Sequence, residues 1–221
     1  AARRRVTPNV GRHEFDINLA VTTNLPGASV DTNNILGVRD NASDGFGGGE
    51  EDILEVLPPP QNFVYMASHH ADTEPGWQGA GGIYTQDLMQ TPTLNQEKVW
   101  GKIGISTDLG TAAVPATITL TWDLNVPGRE VPFLYSVELL DPEDINGDGL
   151  KSYDMRKISS FSFVIATDGI LTTRFVGVKV STPRSVAKTF SSGFNLMSLP
   201  VKPINPNPAS VFFGLSPLVV Y

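Results

Sequence analysis

The sequence predicts an all-β protein built as an antiparallel β-sandwich. Three observations lead there. Six separate runs alternate apolar and polar residues with a period of two, the signature of half-buried strands. Clusters of Gly, Pro, Asn and Asp separate the runs. No segment of about eleven residues or more carries the i, i+3, i+4 spacing of an amphipathic helix.

Residues 1–12 read as a solvated basic tail, with Arg3, Arg4 and Arg5 open to a processing or anionic role. The main domain spans 13–182. Its first run is EFDINLAV (14–21), with Phe15, Ile17, Leu19 and Val21 in step. Residues 23–60 are rich in Gly, Asn, Asp and Pro and end in Pro58-Pro59-Pro60, which favours extended polyproline II. This stretch reads as a long loop or a wrap across a sheet. Ile53 to Leu57 and Tyr84 to Met89 are the two short candidates for helix. VWGKIGIS (99–106) places Val99, Gly101, Ile103 and Ile105 in step. ATITLTWD (116–123) puts Ile118, Leu120 and Trp122 on one face. YSVELL (135–140), FSFVIA (161–166) and TRFVGVKV (173–180) follow the same rule. With no helix between them, these runs favour hairpin and Greek-key connections over a parallel sheet. Residues 183–193 read as a linker. Residues 194–221 form a β extension too small to fold alone. It packs on the domain, begins a further module, or pairs with a neighbouring subunit. The apolar SVFFGLSPLVVY (210–221) is a hazard unless it pairs, which makes strand donation to a homo-polymer one expectation.

Composition narrows the function classes. The chain has 221 residues, 40% hydrophobic and 18% charged, with a net charge of −7. That surface repels phosphate backbones, so nucleic acid is not an expected partner. No cysteine occurs, which removes thiol catalysis, disulfides and cysteine zinc sites. No apolar run is long enough to span a membrane as a helix.

Taken as a set, ITLTWDLNVP, YSVELLD, YDMRKISSFSFVI and TRFVGVKV resemble the Ig/fibronectin-III-like modules of large secreted prokaryotic surface proteins. NASDGFGGGEEDILEVLPPP (41–60) is similar to a loop found before such modules, and GFNLMSLPVKPINPNPASVF (193–212) to a segment that follows them. The resemblance covers most of residues 14–213. It implies an Ig-like sandwich, secretion, cell-surface display, a multi-domain context and no catalytic residues. The departure is a longer hairpin at 141–154.

That hairpin lies in DPEDINGDGLKSYDMR (141–156) and carries five acidic residues. Calcium takes about six to eight oxygens, and D-x-D-x-D-G loops supply them from alternating positions. Asp144, Asn146 and Asp148 occupy positions 1, 3 and 5, with Gly149 at the sharp turn. The Leu150 carbonyl and Ser152 serve at 7 and 9, and Asp154 closes the set. A bidentate acid is wanted at position 12, where Met155 stands. The loop thus resembles part of a dockerin or EF-hand loop without its helices, and Ca2+ is the expected ion. The competing reading is a plain polar hairpin, since Asn146-Gly147 is a strong turn signal.

Other candidates are weaker. Asp40, Asp44, Glu50, Glu51 and Asp52 form a second acidic stretch at 40–52, read as a glycine-rich surface loop or a cation site. Asn41-Ala42-Ser43 is a lone glycosylation sequon. His69 and His70, with Asp72, Glu74 and His13, invite a transition metal. Neighbouring residues of a strand point to opposite faces, so both histidines are not expected on one ion. Trp77, in the glycine-rich EPGWQGAGG, and Tyr84 are candidate glycan contacts on an exposed platform. Neither G-x-S-x-G nor another nucleophile turn occurs. The expectation is therefore a non-enzymatic extracellular structural or adhesion module, calcium-stabilised and self-assembling into a filament or layer. Its alternative is a carbohydrate-binding module of a secreted polysaccharide-degrading system.

Overall fold

Eleven strands run β1 (Phe15–Thr23), β2 (Asp31–Arg39), β3 (Ile53–Leu54), β4 (Phe63–His70), β5 (Gly82–Gln90), β6 (Glu97–Asp108), β7 (Ala116–Asp123), β8 (Ser136–Leu140), β9 (Ser152–Asp154), β10 (Ser160–Ile165) and β11 (Thr172–Ser181). The computed structural model describes residues 13–47, 52–56, 62–111, 115–167 and 169–183. The expectations for 1–12, 184–193 and 194–221 lie outside these residues. Among the described residues there is no helix, and so none long and apolar enough to cross a membrane.

All eleven strands join one mostly antiparallel mixed sheet curled into a half-barrel. Its order is β10-β7-β1-β2-β5-β4-β6-β11-β8-β9, with β3 on β5 as a side branch. The all-β expectation holds. The division into two packed sheets is replaced by continuous hydrogen bonding, because residues expected as loop or helix form strands. Asp31–Arg39 pairs with β1 on one side and with β5 on the other, the latter in parallel. Tyr84 to Met89 belongs to β5, and of the expected turn Ile53 to Leu57 the first two residues form β3 while Leu57 lies outside the described residues.

The two ends of the sheet, β9 and β10, are consecutive in the chain. The turn at 155–159 joins them, and Tyr153 meets Phe161 there at 5.2 Å between ring centroids. Curling encloses a core that includes Phe15, Ile17, Leu19, Val21, Ile118, Leu120, Val137, Leu139, Val176, Val178 and Val180. Each large aliphatic side chain buried there stabilises the fold by about 1.5–3 kcal/mol. Trp122 is half-buried against this core and donates its indole N–H to the Met155 carbonyl at 2.9 Å.

In β6 the expected face is only partly right. Ile103 and Ile105 point inward, but Val99 is exposed and Trp100 is buried. Opposite β11, Ile103 faces Val176 while Trp100 faces Val178, so β6 carries an extra residue around Gly101-Lys102. This bulge reverses the alternation on either side of it.

Candidate functional site

The β8–β9 hairpin satisfies its own polar groups. Asp141 is fully buried, and its carboxylate accepts the Ile145 N–H at 3.0 Å. Asp144 takes a left-handed backbone with φ 56°. Its Oδ1 accepts the Gly149 N–H across the loop at 3.0 Å. Gly147 and Gly149 adopt φ of 74° and 79°, where a Cβ would be strained. Asp148 accepts the Leu150 N–H at 2.8 Å and the Tyr153 hydroxyl at 2.7 Å. Asn146 donates to Asp148 at 3.2 Å and to Tyr153 at 3.0 Å. The Tyr153 bond and the Leu150 N–H hold the Asp148 carboxyl below its ordinary range. Burial and that same carboxylate push Tyr153 up to about 12.

Asn146 and Asp148 are thus together, and Asp144 is tied to the same turn. Ser152 is exposed at the first position of β9, and the Leu150 side chain is exposed. Asp154 turns to other partners, the Arg156 N–H at 3.0 Å and Lys157 Nζ at 3.0 Å. Among the described residues, no three His, Cys, Asp or Glu side chains are grouped as a metal would require.

A second cluster, at the β4–β5 end of the sheet, is richer than its sequence suggests. Val64, Met66, Ser68 and His70 alternate along one face of β4, apolar at one end and polar at the other. Asp87 of β5 is 1% exposed and receives the Ser68 hydroxyl. His70 places Nε2 2.8 Å from Asp87 Oδ2 and Nδ1 3.0 Å from Glu74 Oε2. Glu74 pairs onward with Lys102 at 2.6 Å. The imidazole lies flat on Trp77, with ring centroids 3.4 Å apart and planes 5° apart. Tyr84 and Phe46 pack around Trp77 at 5.0 and 5.9 Å. Tyr84 also donates its hydroxyl to the Ala80 carbonyl. Gly45 and Gly76 bring two loops together here: a Cβ on Gly45 would sit 2.6 Å from the Gly76 Cα.

This packing corrects the expectation of an exposed aromatic platform. Trp77 is 4% exposed and Tyr84 2% exposed, so neither ring face is open to a sugar. The glycine-rich context of Trp77 serves close loop packing instead. The two histidines do point apart as expected: His69 packs edge-on to Phe175 at 5.3 Å, away from Asp87. Gly104 makes room for it, since a Cβ there would lie 2.4 Å from His69 Nε2.

The acids of 40–52 are divided rather than gathered. Asp44 grips Lys98 at 2.5 and 2.7 Å and accepts the Gln90 N–H. Asp52 accepts the N–H groups of Leu88 and Gly47 at 2.7 and 3.3 Å. Burial, aided by Asp87, pushes Asp52 up to about 6 even though the Leu88 bond pulls it down. Asp40 is exposed, and Glu50 and Glu51 lie outside the described residues. A shallow cleft of about 240 Å³ runs beside β2 and β4, lined in part by Asp31, Asn33, Glu55 and Tyr65. Burial raises the Glu55 carboxyl there, and Asp31 adds to the effect.

Sequence reasoning missed Asp87, Ser68 and the His70–Trp77 stack. The signal available was Ser68-x-His70, two polar residues on one face of an otherwise apolar run. Asp87 was masked because YTQDLMQ reads as a short helix. Compared with known protein families, curated proteins and solved structures, the chain has no match.

Proposed function

We propose that the chain is a non-enzymatic structural or adhesive module of the cell exterior that joins a neighbouring copy by β-strand addition at β10. The difference between the two ends of the sheet carries this reading. β9 is three residues long and ends in the Asp154–Lys157 ion pair, a short, charged edge that discourages pairing. β10 is six residues long, SFSFVI, with neither charge nor proline. It pairs with β7 on one side only among the described residues, and Val164 is 63% exposed on it. An unguarded edge of that length is a template for another strand. The apolar pattern of 210–221 supplies a strand of suitable composition. The exterior location rests on the resemblance of the 116–180 motifs.

Light scattering on the eluting protein tests this. The full chain is expected to associate with rising concentration, and both Val164→Lys and removal of residues 190–221 to weaken that association. A monomer at every concentration contradicts the reading.

A calcium-loaded hairpin at 141–154 is the second reading, favoured by the Asp144–Gly149 bond that folds the loop back on its first acid. Ligation there would draw Asp148 from Tyr153 and Asp154 from Lys157. We propose instead that the turn stands on its own hydrogen bonds, with calcium adding no stability.

A further inference from the structure

We propose that His70 is a proton-operated latch for the Ala71–Gly81 loop: as an imidazolium it ties the loop to β5, and on losing its proton it releases it. The argument is one of donor count. Both ring nitrogens face carboxylate oxygens, Asp87 Oδ2 at 2.8 Å and Glu74 Oε2 at 3.0 Å. A neutral imidazole has one N–H and one lone pair, so one nitrogen would set its lone pair against an anion. Only the doubly protonated ring satisfies both contacts. Its positive charge also suits the face of Trp77, on which it stacks.

The groups around the ring agree. Asp87 approaches from β5 and also takes the Ser68 hydroxyl, so that donor is fixed on the anion's side. Among the described residues Asp87 Oδ1 is buried without a hydrogen-bond partner, which leaves His70 and Ser68 to offset its charge on Oδ2. Glu74 comes from the loop itself and is kept ionised by Lys102 of β6. Asp52, ahead of β3, adds negative charge once ionised. Tyr84 packs at 5.9 Å and is pushed up by burial, so it stays neutral. Lys102 and the neighbouring His69 are the opposing positive groups. His69 is itself pulled down by burial, so it gains its proton only at a lower pH than His70.

The latch closes a short loop whose internal bonds are local: Glu74 N–H to Ala71, Trp77 N–H to Glu74 and Ala80 N–H to Trp77 carbonyls. It is held down by the Glu74 contacts with His70 and Lys102, the Trp77 ring on His70, the Tyr84 hydroxyl on the Ala80 carbonyl and the Phe46 N–H on the Gly76 carbonyl beside the close Gly45–Gly76 contact. Deprotonation leaves the ring one N–H for two carboxylates, so either the Glu74 or the Asp87 bond is lost, and it removes the charge that favours the stack on Trp77. The consequence is exposure of Trp77 and Tyr84, which are buried while the latch is closed.

Histidine NMR on the full chain tests this, with chymotrypsin cleavage after Trp77 as a second readout normalised to a free peptide substrate. At about pH 7.5, where an ordinary histidine has lost its proton, His70 is expected to keep both ring N–H signals. Cleavage after Trp77 is expected to rise as they disappear. Glu74→Gln, whose amide can donate to a neutral ring, is expected to lower the midpoint of His70 while the fold persists. His70→Gln is expected to cleave after Trp77 at all pH values; if it does not fold, the Glu74→Gln shift decides. A neutral His70 at pH 6.5, or a midpoint unmoved by Glu74→Gln, overturns the latch.

Discussion

The sheet has two halves that are held in different ways. Around β1, β7, β8, β10 and β11 the inner face is a continuous apolar layer, with Phe15, Ile118, Leu120, Leu139 and Val178 fully or almost fully buried. Around β2, β4 and β5 the buried positions include Asn34, Arg39, Ser68 and Asp87. Arg39 bonds Asp16 at 2.7 Å, and Ser68, Asp87, His70 and Glu74 form one chain of contacts. Apolar burial depends on area and is indifferent to pH. A buried polar network depends on every partner keeping its charge state. The two halves should therefore answer the same perturbations differently.

The largest expected effect breaks the apolar half. Phe15 is 0% exposed and meets Tyr135 edge-on at 6.0 Å. Phe15→Ala should cost about 3–5 kcal/mol by denaturant unfolding, with the same loss at pH 6 and pH 9. Asp87→Ala should come next, at about 3 kcal/mol, and its cost should depend on pH. The loss should be full below 6.5 and shrink as pH rises, because the wild type then loses the same contact.

The pH dependence of the wild type follows with its sign. Burial lowers His70, but its bonds to Asp87 and Glu74 outweigh that and raise it above the ordinary 6.5. A raised group contributes stability that is full below its unfolded value and fades as pH climbs through its folded one. Asp52, raised from 3.8 to about 6, acts in the same direction, lowering stability as pH rises between those values. His69 opposes them: held neutral by burial, it costs stability as pH falls below 6.5. Thermal melts should thus show a decline on the alkaline side that Asp87→Ala flattens.

Smaller effects sharpen the contrast. Gly104→Ala should cost about 1–2 kcal/mol, since its Cβ would meet His69 Nε2 at 2.4 Å and the ring must turn aside. Millimolar calcium should leave the melting temperature unchanged. A rise of several degrees that Asp144→Asn abolishes would assign the hairpin to the ion.

The same division explains how legible the chain is. In the apolar half the period of two survives intact: ATITLTWD coincides with β7, and TRFVGVKV lies inside β11. β2 and β4 were missed because they place polar residues such as Asn34, Ser68 and His70 on faces that a pattern search expects to be apolar. β5 reads as helix for a related reason. Ile53 pairs with Gln86 and Leu54 with Tyr84, so Thr85 is an extra residue that breaks the alternation and imitates helical spacing. The turn residues of the hairpin at 141–154 are recognisable, but its return strand is β9 (Ser152–Asp154), which sequence keeps inside the loop, and the next apolar run, β10, pairs with β7 instead. What sequence could not supply was the direction of Asp154, which faces Lys157 and not Asp144. Trp77 misled for the opposite reason: its glycines permit close packing of two loops, not exposure.

The central claim is that one half is held by apolar burial and the other by a proton-dependent network. Amide hydrogen exchange, corrected for the intrinsic pH dependence of the rates, tests it strand by strand. Between pH 6 and pH 8.5, amides of β4, β5 and the Ala71–Gly81 loop should lose protection while those of β1, β7 and β11 keep theirs. Equal loss across all strands, or none in β4 and β5, would contradict the account.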